Sequence, residues 1–307
     1  MLISVVIPAR NEGLRINDTV RSLAESRADP TRRVEFVVVD DASATPLRVE
    51  VEASAVDVRV VRSEERLGVP RARNVGAAAA SGDVLVITDA HVRFSPGWDS
   101  VAAVCVDNPL VLAATIADPT SQFRGHGCSL VVPFMGTRWN KQPPNPGDAV
   151  HIPSCAGTLV SHSTFDSIGG YDDGMVLYGG AEPEFGLRAW LRGHAVVSVP
   201  DLLVWHRFKT QVEINSFLDG LRPSMTHNCL RFGALYLPDH LLWQMMRYHA
   251  NLHEDAFPEA ITRLEASDVW DRRDQLRREL PRDFTWFAET FGLLDQIGRD
   301  IKEMAPA

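Results

Sequence analysis

No stretch of the sequence approaches the roughly 18 apolar residues that a membrane-spanning helix needs. Cysteine is scarce: Cys105, Cys128, Cys155 and Cys229 lie scattered, with no CxxC pair. That spacing speaks against a zinc knuckle or a disulfide framework and for reduced thiols. Basic charge is in deficit, with 31 Lys and Arg against 40 Asp and Glu and a formal net charge of −9. A general attraction for nucleic acid or anionic membrane is therefore excluded. A phosphate-bearing ligand has to be met by local arginine or by a metal. A basic leader is missing as well, and the apolar run Ile3–Ile7 is too short for a signal peptide, so a cytoplasmic location is expected. No internal repeat is visible. What remains is a chain of 307 residues, 45% hydrophobic and 23% charged, which suffices for one large or two ordinary domains with a true core.

The first hundred residues alternate strand and helix signals. Ile3–Ile7, closed by Pro8, reads as a buried parallel strand. Asn17 through Ser26 carries Val20, Leu23 and Ala24 at helical spacing, with Asn17 as N-cap. Glu35–Val39 and Val56–Val61 are further strands, Val69–Ala80 a helix closed by Ser81-Gly82, and Asp83–Thr88 the fourth strand. The alternation predicts a parallel, right-handed βαβ sheet. Asp118–Pro153, rich in Gly, Pro and Asn, reads as a long loop over the sheet edge. Regular structure resumes at Gly157–Ser161, and helix Pro183–Arg192, with Pro183 in its first turn, and strand Ala195–Val199 follow. From Gln211 the pattern is helical and amphipathic, and the charge-dense Asp271–Glu279 is a solvated helix face. The expected division is a catalytic α/β domain over residues 1–210 and a helical subdomain over 211–307 that shapes an acceptor site.

Ligands of open α/β sheets bind where strands end. Asp40-Asp41 ends one strand; Asp41 there can accept from a uracil imide or a ribose hydroxyl, or can cap the turn. In Arg66–Gly76 a glycine precedes a helix whose first turns bear Arg71 and Arg73, a pattern open to anion binding or to plain solvation. Asp89-Ala90-His91 ends the fourth strand. Carboxylate with imidazole suits Mn²⁺, and carboxylate oxygen alone suits Mg²⁺. A cation there would bridge a diphosphate and neutralise a leaving group. His206, after Leu202-Leu203-Val204-Trp205, is a further candidate ligand. Two glycine pairs, Gly169-Gly170 and Gly179-Gly180, bracket a loop that ends at a helix bearing Glu182 and Glu184. These acids either cap the helix or act: Glu182 as general base on an acceptor hydroxyl, Glu184 as partner of sugar hydroxyls. Trp139, Trp205, Tyr178 and Trp243 are candidates for stacking on sugar.

The order of these pieces, from Ser4-Val5-Val6-Ile7-Pro8-Ala9-Arg10-Asn11-Glu12 to Trp205-His206-Arg207-Phe208, resembles that of nucleotide-sugar glycosyltransferases with the GT-A fold. Asp89-Ala90-His91, His206 and the Gly169–Gly180 segment look most like the polypeptide N-acetylgalactosaminyltransferases. The opening strand is equally similar to the large inverting family of bacterial glycosyltransferases. Asn228-Cys229-Leu230-Arg231-Phe232 is distantly similar to an acceptor-side segment of the first family. The resemblance implies an α/β GT-A fold, a Rossmann-like nucleotide-sugar sheet with flanking helices, plus a helical C-terminal extension. It implies that Pro8, Arg10, Glu12, Asp41 and Arg73 line the uridine site, that Asp89 also meets the donor, and that Asp89, His91 and His206 hold Mn²⁺ or Mg²⁺. Glu182, Glu184, Gly180 and Tyr178 then lie on the sugar and acceptor side. One departure matters. The polypeptide transferases carry Gly-Gly-Glu-Asn-x-Glu where this chain has Gly179-Gly180-Ala181-Glu182-Pro183-Glu184. Glu182 instead stands where inverting enzymes place their base. The leading expectation is a metal-dependent, inverting transfer from a UDP-sugar to the hydroxyl of a small natural-product, antibiotic or glycan acceptor. The alternatives are a retaining transferase and a nucleotidyltransferase that makes the sugar nucleotide; the latter wants a Gly-rich loop that Ala9-Arg10-Asn11-Glu12 does not supply.

Overall fold

The computed structural model describes residues 1–301 apart from 52, 54, 296 and 297. Its first third contains β1 (Leu2–Ala9), α1 (Arg15–Glu25), β2 (Arg33–Asp41), β3 (Val56–Ser63), α2 (Val69–Ala79), β4 (Val84–Ile87), β5 (Val92–Phe94), α3 (Trp98–Ala103) and β6 (Val111–Ala117). Then come β7 (Arg124–His126), β8 (Cys128–Val131), β9 (Gly136–Trp139), β10 (Thr158–Ser161), α4 (His162–Ile168), α5 (Ala181–Leu191) and β11 (Val196–His206). Helices α6 (Gln211–Asp219), α7 (Arg222–Tyr236), α8 (Asp239–Leu252), α9 (Phe257–Glu265), α10 (Val269–Glu279) and α11 (Phe284–Phe291) follow. None of the described helices is long and apolar enough to cross a membrane.

The central strands are continuously apolar because both sheet faces are covered. Ile3, Val5 and Ile7 of β1 pack with Ile16, Val20 and Leu23 of α1 on one side. Val6, Leu85 and Ile87 point the other way, into a cluster that includes Phe185 of α5 and Leu230 and Phe232 of α7. The alternation is that of a pleated strand. It brings the helical C-terminal third onto the same core face as the sheet.

The sheet is mixed: the parallel pairing expected of the first four strands holds there and gives way beyond them. Its order is β3-β2-β1-β4-β10-β6-β11-β5, with β7 on β6. The first four strands are parallel. β10 is antiparallel to both its neighbours, and β5 is antiparallel to β11. The strand–helix alternation that dictates parallel pairing lapses after β4, which only Thr88–His91 separates from β5. Asp118–Pro153 is also more ordered than a bare loop: β7 extends the sheet and β8–β9 form a small antiparallel ribbon. The strand signals at 195–199 and 202–205 belong to one strand, β11, whose register against β6 shifts between Val199 and Leu203.

Two helix ends differ from expectation. Leu14, not Asn17, is the N-cap of α1; Asn17 lies inside the helix, where its side chain accepts from the Glu50 amide at 3.1 Å. The chain leaves α2 at Ala80 in an extended conformation, and the Gly82 amide donates to Ser4 Oγ at 2.8 Å instead of closing the helix. α2 itself lies hard on the sheet. A Cβ on Gly76 would stand 2.4 Å from Val6 Cγ1 and 3.1 Å from Val39 Cγ2. That contact sets the height of Arg73, almost one turn earlier on the helix. Gly76→Ala is therefore expected to cost about 1–3 kcal/mol through overpacking, read as a lower urea midpoint at unchanged m-value.

Candidate active site

Two strand ends build the centre. β4 stops at Ile87 and Asp89 follows; β5 begins at Val92, and its pairing with β11 sets His206 opposite Val92, next to His91. Ligand atoms of Asp89, His91 and His206 all lie within 4.8 Å of one another. His206 Nε2 is 3.3 Å from Asp89 Oδ2, and the two imidazole centroids are 4.9 Å apart. Burial pushes the Asp89 carboxyl up, but the His206 bond and the charges of Arg73, His206 and His91 outweigh it and hold it at about 2. The three form a potential metal-binding triad. One carboxylate and two imidazoles match the donor preference of Mn²⁺, and His206 keeps a buried Nδ1 with no partner among the described residues.

Glu12 is the outer partner of this triad. Its Oε1 lies 3.3 Å from His91 Nδ1, which leaves Nε2 as the ring nitrogen not engaged by Glu12. A carboxylate behind a metal-ligating histidine fixes ring and tautomer. The Glu12 bond, against burial and with help from the charges of Asp89 and Glu12, raises the His91 pKa above its ordinary 6.5.

Arg73 ties the triad to the glycine-rich loop. Its guanidinium, 1% exposed, donates to Glu182 Oε1 at 2.6 Å and to the Cys155 carbonyl at 2.7 Å, and sits 3.4 Å from Asp89 Oδ1. Tyr171 lies under it, 5.2 Å from ring centroid to Cζ. Burial disfavours the charge, but Glu182, Tyr171 and Asp89 overcompensate and raise the Arg73 pKa. A cleft of about 470 Å³ opens beside this group, walled by Arg73, Asp89, His206, Glu182, Tyr178 and Gly180 among others. Trp139 also lines it; Trp205 and Trp243 do not, and Trp243 is an exposed surface residue.

Glu184 does not face the cleft. It is 1% exposed and grips Arg188 one turn on, at 2.7 Å through each oxygen, while Tyr236 donates to Oε1. Arg188 in turn donates to the carbonyls of Ile168, Gly169 and Gly170. The assignment of Glu184 to sugar hydroxyls is thus corrected: its oxygens are spent on a core brace that holds the start of the loop. Asn228 of α7 holds the loop's end, accepting from the Val176 amide and donating to the carbonyls of Val176, Tyr178 and Gly179. Arg231 pairs with Asp172 at 2.6 Å and with Asp268 at 2.8 Å. Asn74 completes the cage, bonding Tyr171 through both N–H and carbonyl. Sequence reasoning passed over Asn74, although it follows Arg73 directly.

Pro8, Arg10 and Asp41 stand apart from that cleft, at the ends of β1 and β2. Arg10 is exposed. Asp41 is 6% exposed and accepts from the amides of Leu67 and Gly68 at the start of α2. The helix N-terminus read as an anion site is therefore met by the protein's own carboxylate. Of the two helix arginines, Arg71 bonds the Asp173 carbonyl and only Arg73 enters the site. Gly68 is required here: at φ +80, its Cβ would fall 2.4 Å from Leu177 Cα.

The sequence model for glycosyl transferase family 2 matches residues 4–162, from β1 to the first residue of α4. The chain belongs to glycosyl transferase family 2. Polypeptide N-acetylgalactosaminyltransferase 12 of Mus musculus is 30% identical over 313 residues, covering 94% of this chain and 51% of that protein. The chain spans about half the length of the curated relatives it matches. Among solved structures, GalNAc-T7 with UDP, GalNAc and Mn²⁺ aligns at a TM-score of 0.71 and 20% identity, over 95% of this chain and 56% of that one. S. aureus TarS 1–349 in complex with UDP-GlcNAc aligns at 0.54 and 16% identity, over 91% of this chain and 92% of that one. These likenesses establish the GT-A fold for this family 2 chain.

Two outcomes are expected at the site. In the metal-free protein His91 titrates above 6.5, and Glu12→Gln lowers its midpoint, read by ¹H–¹⁵N NMR of the imidazole nitrogens. A raised pKa stabilises the fold below the ordinary histidine value and loses that contribution as pH rises through the raised midpoint. Glu184→Ala strands the buried Arg188 and costs about 3–5 kcal/mol in denaturant unfolding.

Proposed function

We propose that this chain transfers a sugar from a UDP-sugar to an acceptor hydroxyl, with Mn²⁺ before Mg²⁺ as its metal. One observation carries the reading: Asp89, His91 and His206 converge within 4.8 Å beside a cleft bordered by Arg73 and Glu182. When bound, the cation would neutralise the diphosphate leaving group. Asp89, His91 and His206 would hold it, with Glu12 orienting His91. Pro8, Arg10 and Asp41, at the strand ends, offer the uridine contacts, while Tyr178 and Gly180 border the sugar. The residues up to about 210 carry the donor side and those beyond it the acceptor side.

Arg73 occupies Glu182 Oε1 and aims the carboxylate at the cleft, leaving Oε2 for the acceptor. In an inverting transfer the bond from anomeric carbon to diphosphate oxygen breaks and the bond to the acceptor oxygen forms. The acceptor proton passes to Glu182 Oε2. The retaining reading is supported by the likeness to polypeptide N-acetylgalactosaminyltransferases and by the Arg73–Glu182 pair, which then makes Glu182 a positioning group. Family membership weighs against a nucleotidyltransferase. The free state of all four cysteines supports a reducing compartment such as the cytoplasm.

The product's anomeric configuration by NMR separates inversion from retention. Glu182→Gln is expected to lower turnover by roughly 10²–10⁴-fold with UDP affinity retained. Chelation is expected to abolish turnover, and added Mn²⁺ to restore it. Turnover unchanged in Glu182→Gln would remove the base assignment, and turnover indifferent to chelator would remove the metal.

A further inference from the structure

A second cavity, of about 750 Å³, opens against the cleft. The two share Phe134, Thr137, Leu218, Met225 and Cys229 as walls, so a molecule seated in one reaches toward the other. The size is that of a small-molecule site. Its composition is one-sided. Phe134, Tyr248, His249 and His253 form an aromatic wall, with Phe134 and His249 stacked at 5.9 Å and His249 and His253 stacked at the same distance. Among the described residues no Asp or Glu lines the cavity, in a chain whose acids outnumber its bases 40 to 31. Its cations are Arg138 of β9 and Arg222 of α7, both exposed at the cavity. Asp219 compensates Arg222 at 2.9 Å, whereas Arg138 pairs with no carboxylate among the described residues. The histidines add no charge at neutral pH: burial holds His249 at about 4 and depresses His253.

We propose that this cavity seats the acceptor, and that the acceptor is a small molecule with a flat apolar body and an anionic group that meets Arg138. The inference rests on the reading of the chain as a UDP-sugar transferase and adds to it the class of acceptor. The aromatic wall stacks the flat body, Arg138 takes the anion at the rim, and the shared wall turns a hydroxyl toward Glu182. A neutral sugar or an extended cationic peptide would leave Arg138 unmatched.

Calorimetry on the full chain with 6-hydroxy-2-naphthoate and its neutral analogue 6-hydroxy-2-naphthamide tests this, alongside UDP with Mn²⁺. The carboxylate is expected to bind about tenfold more tightly than the amide, the factor one charge pair supplies. Arg138→Gln should erase that preference and Arg138→Lys should keep most of it. Leu252→Trp, which fills the cavity mouth, should weaken both probes. UDP affinity should stay at the wild-type value throughout. Equal binding of the two probes, a preference that survives Arg138→Gln, binding indifferent to Leu252→Trp, or no binding of either probe would each overturn the acceptor class while UDP binding stands. Failure of the wild-type chain to bind UDP would overturn the transferase reading, and the acceptor assignment with it.

Discussion

The site depends on one buried cation. Arg73 lies between Asp89, Glu182 and the Cys155 carbonyl, over the ring of Tyr171. Removing water from a guanidinium is expensive, and it persists in a dry site only when carboxylates and carbonyls replace the lost hydration. Here the replacements come from the end of β4, the segment before β10, and the first turn of α5. The cost of leaving Arg73 unmatched therefore holds three separate chain segments together. Because α2 is pressed onto β1 and β2 at Gly76, the guanidinium cannot retreat to solvent, and the other segments close on it.

The helical C-terminal third serves this centre by bracing the glycine-rich loop. Glycines let residues 169–180 turn back on themselves, and that same freedom would leave the loop loose. Arg188 gathers the carbonyls at its start, Asn228 collects those at its end, and Arg231 clamps Asp172 between them. All three are buried at 1% exposure or less. Each is a polar group whose hydrogen bonds are satisfied only in one loop conformation, which is how buried polar networks specify a unique structure.

What the sequence disclosed followed from locality. Val84–Ile87 running into Asp89 is a buried strand ending at a carboxylate, which local pattern alone discloses, whereas its expected role as a ligand leaned on the distant His206. Glu184 was misplaced because an acid in a first turn also suits a cleft; its true partner, Arg188, stood in view at i,i+4. Asp41 was read as a uridine contact or a turn cap, and only the fold shows the Leu67 and Gly68 amides arriving to meet it. The direction of β10 is set by a neighbour more than seventy residues away, so strand–helix alternation could not reveal it. The second cavity was hard to reach for the same reason: its walls come from β8, β9 and the helices α6 to α8, and of the segment Asn228-Cys229-Leu230-Arg231-Phe232 in α7 only Cys229 lines it.

The two histidines of the triad are not equivalent. Glu12 takes the Nδ1 hydrogen of His91, so that imidazole presents a bare Nε2 and is ready to ligate. His206 is arranged the other way round: its Nε2 faces Asp89 Oδ2 at 3.3 Å, and its buried Nδ1 has no partner among the described residues. An unpaired buried nitrogen costs stability wherever it stands. Here the cost falls on the ring that no carboxylate backs, while the other is the one that Glu12 holds.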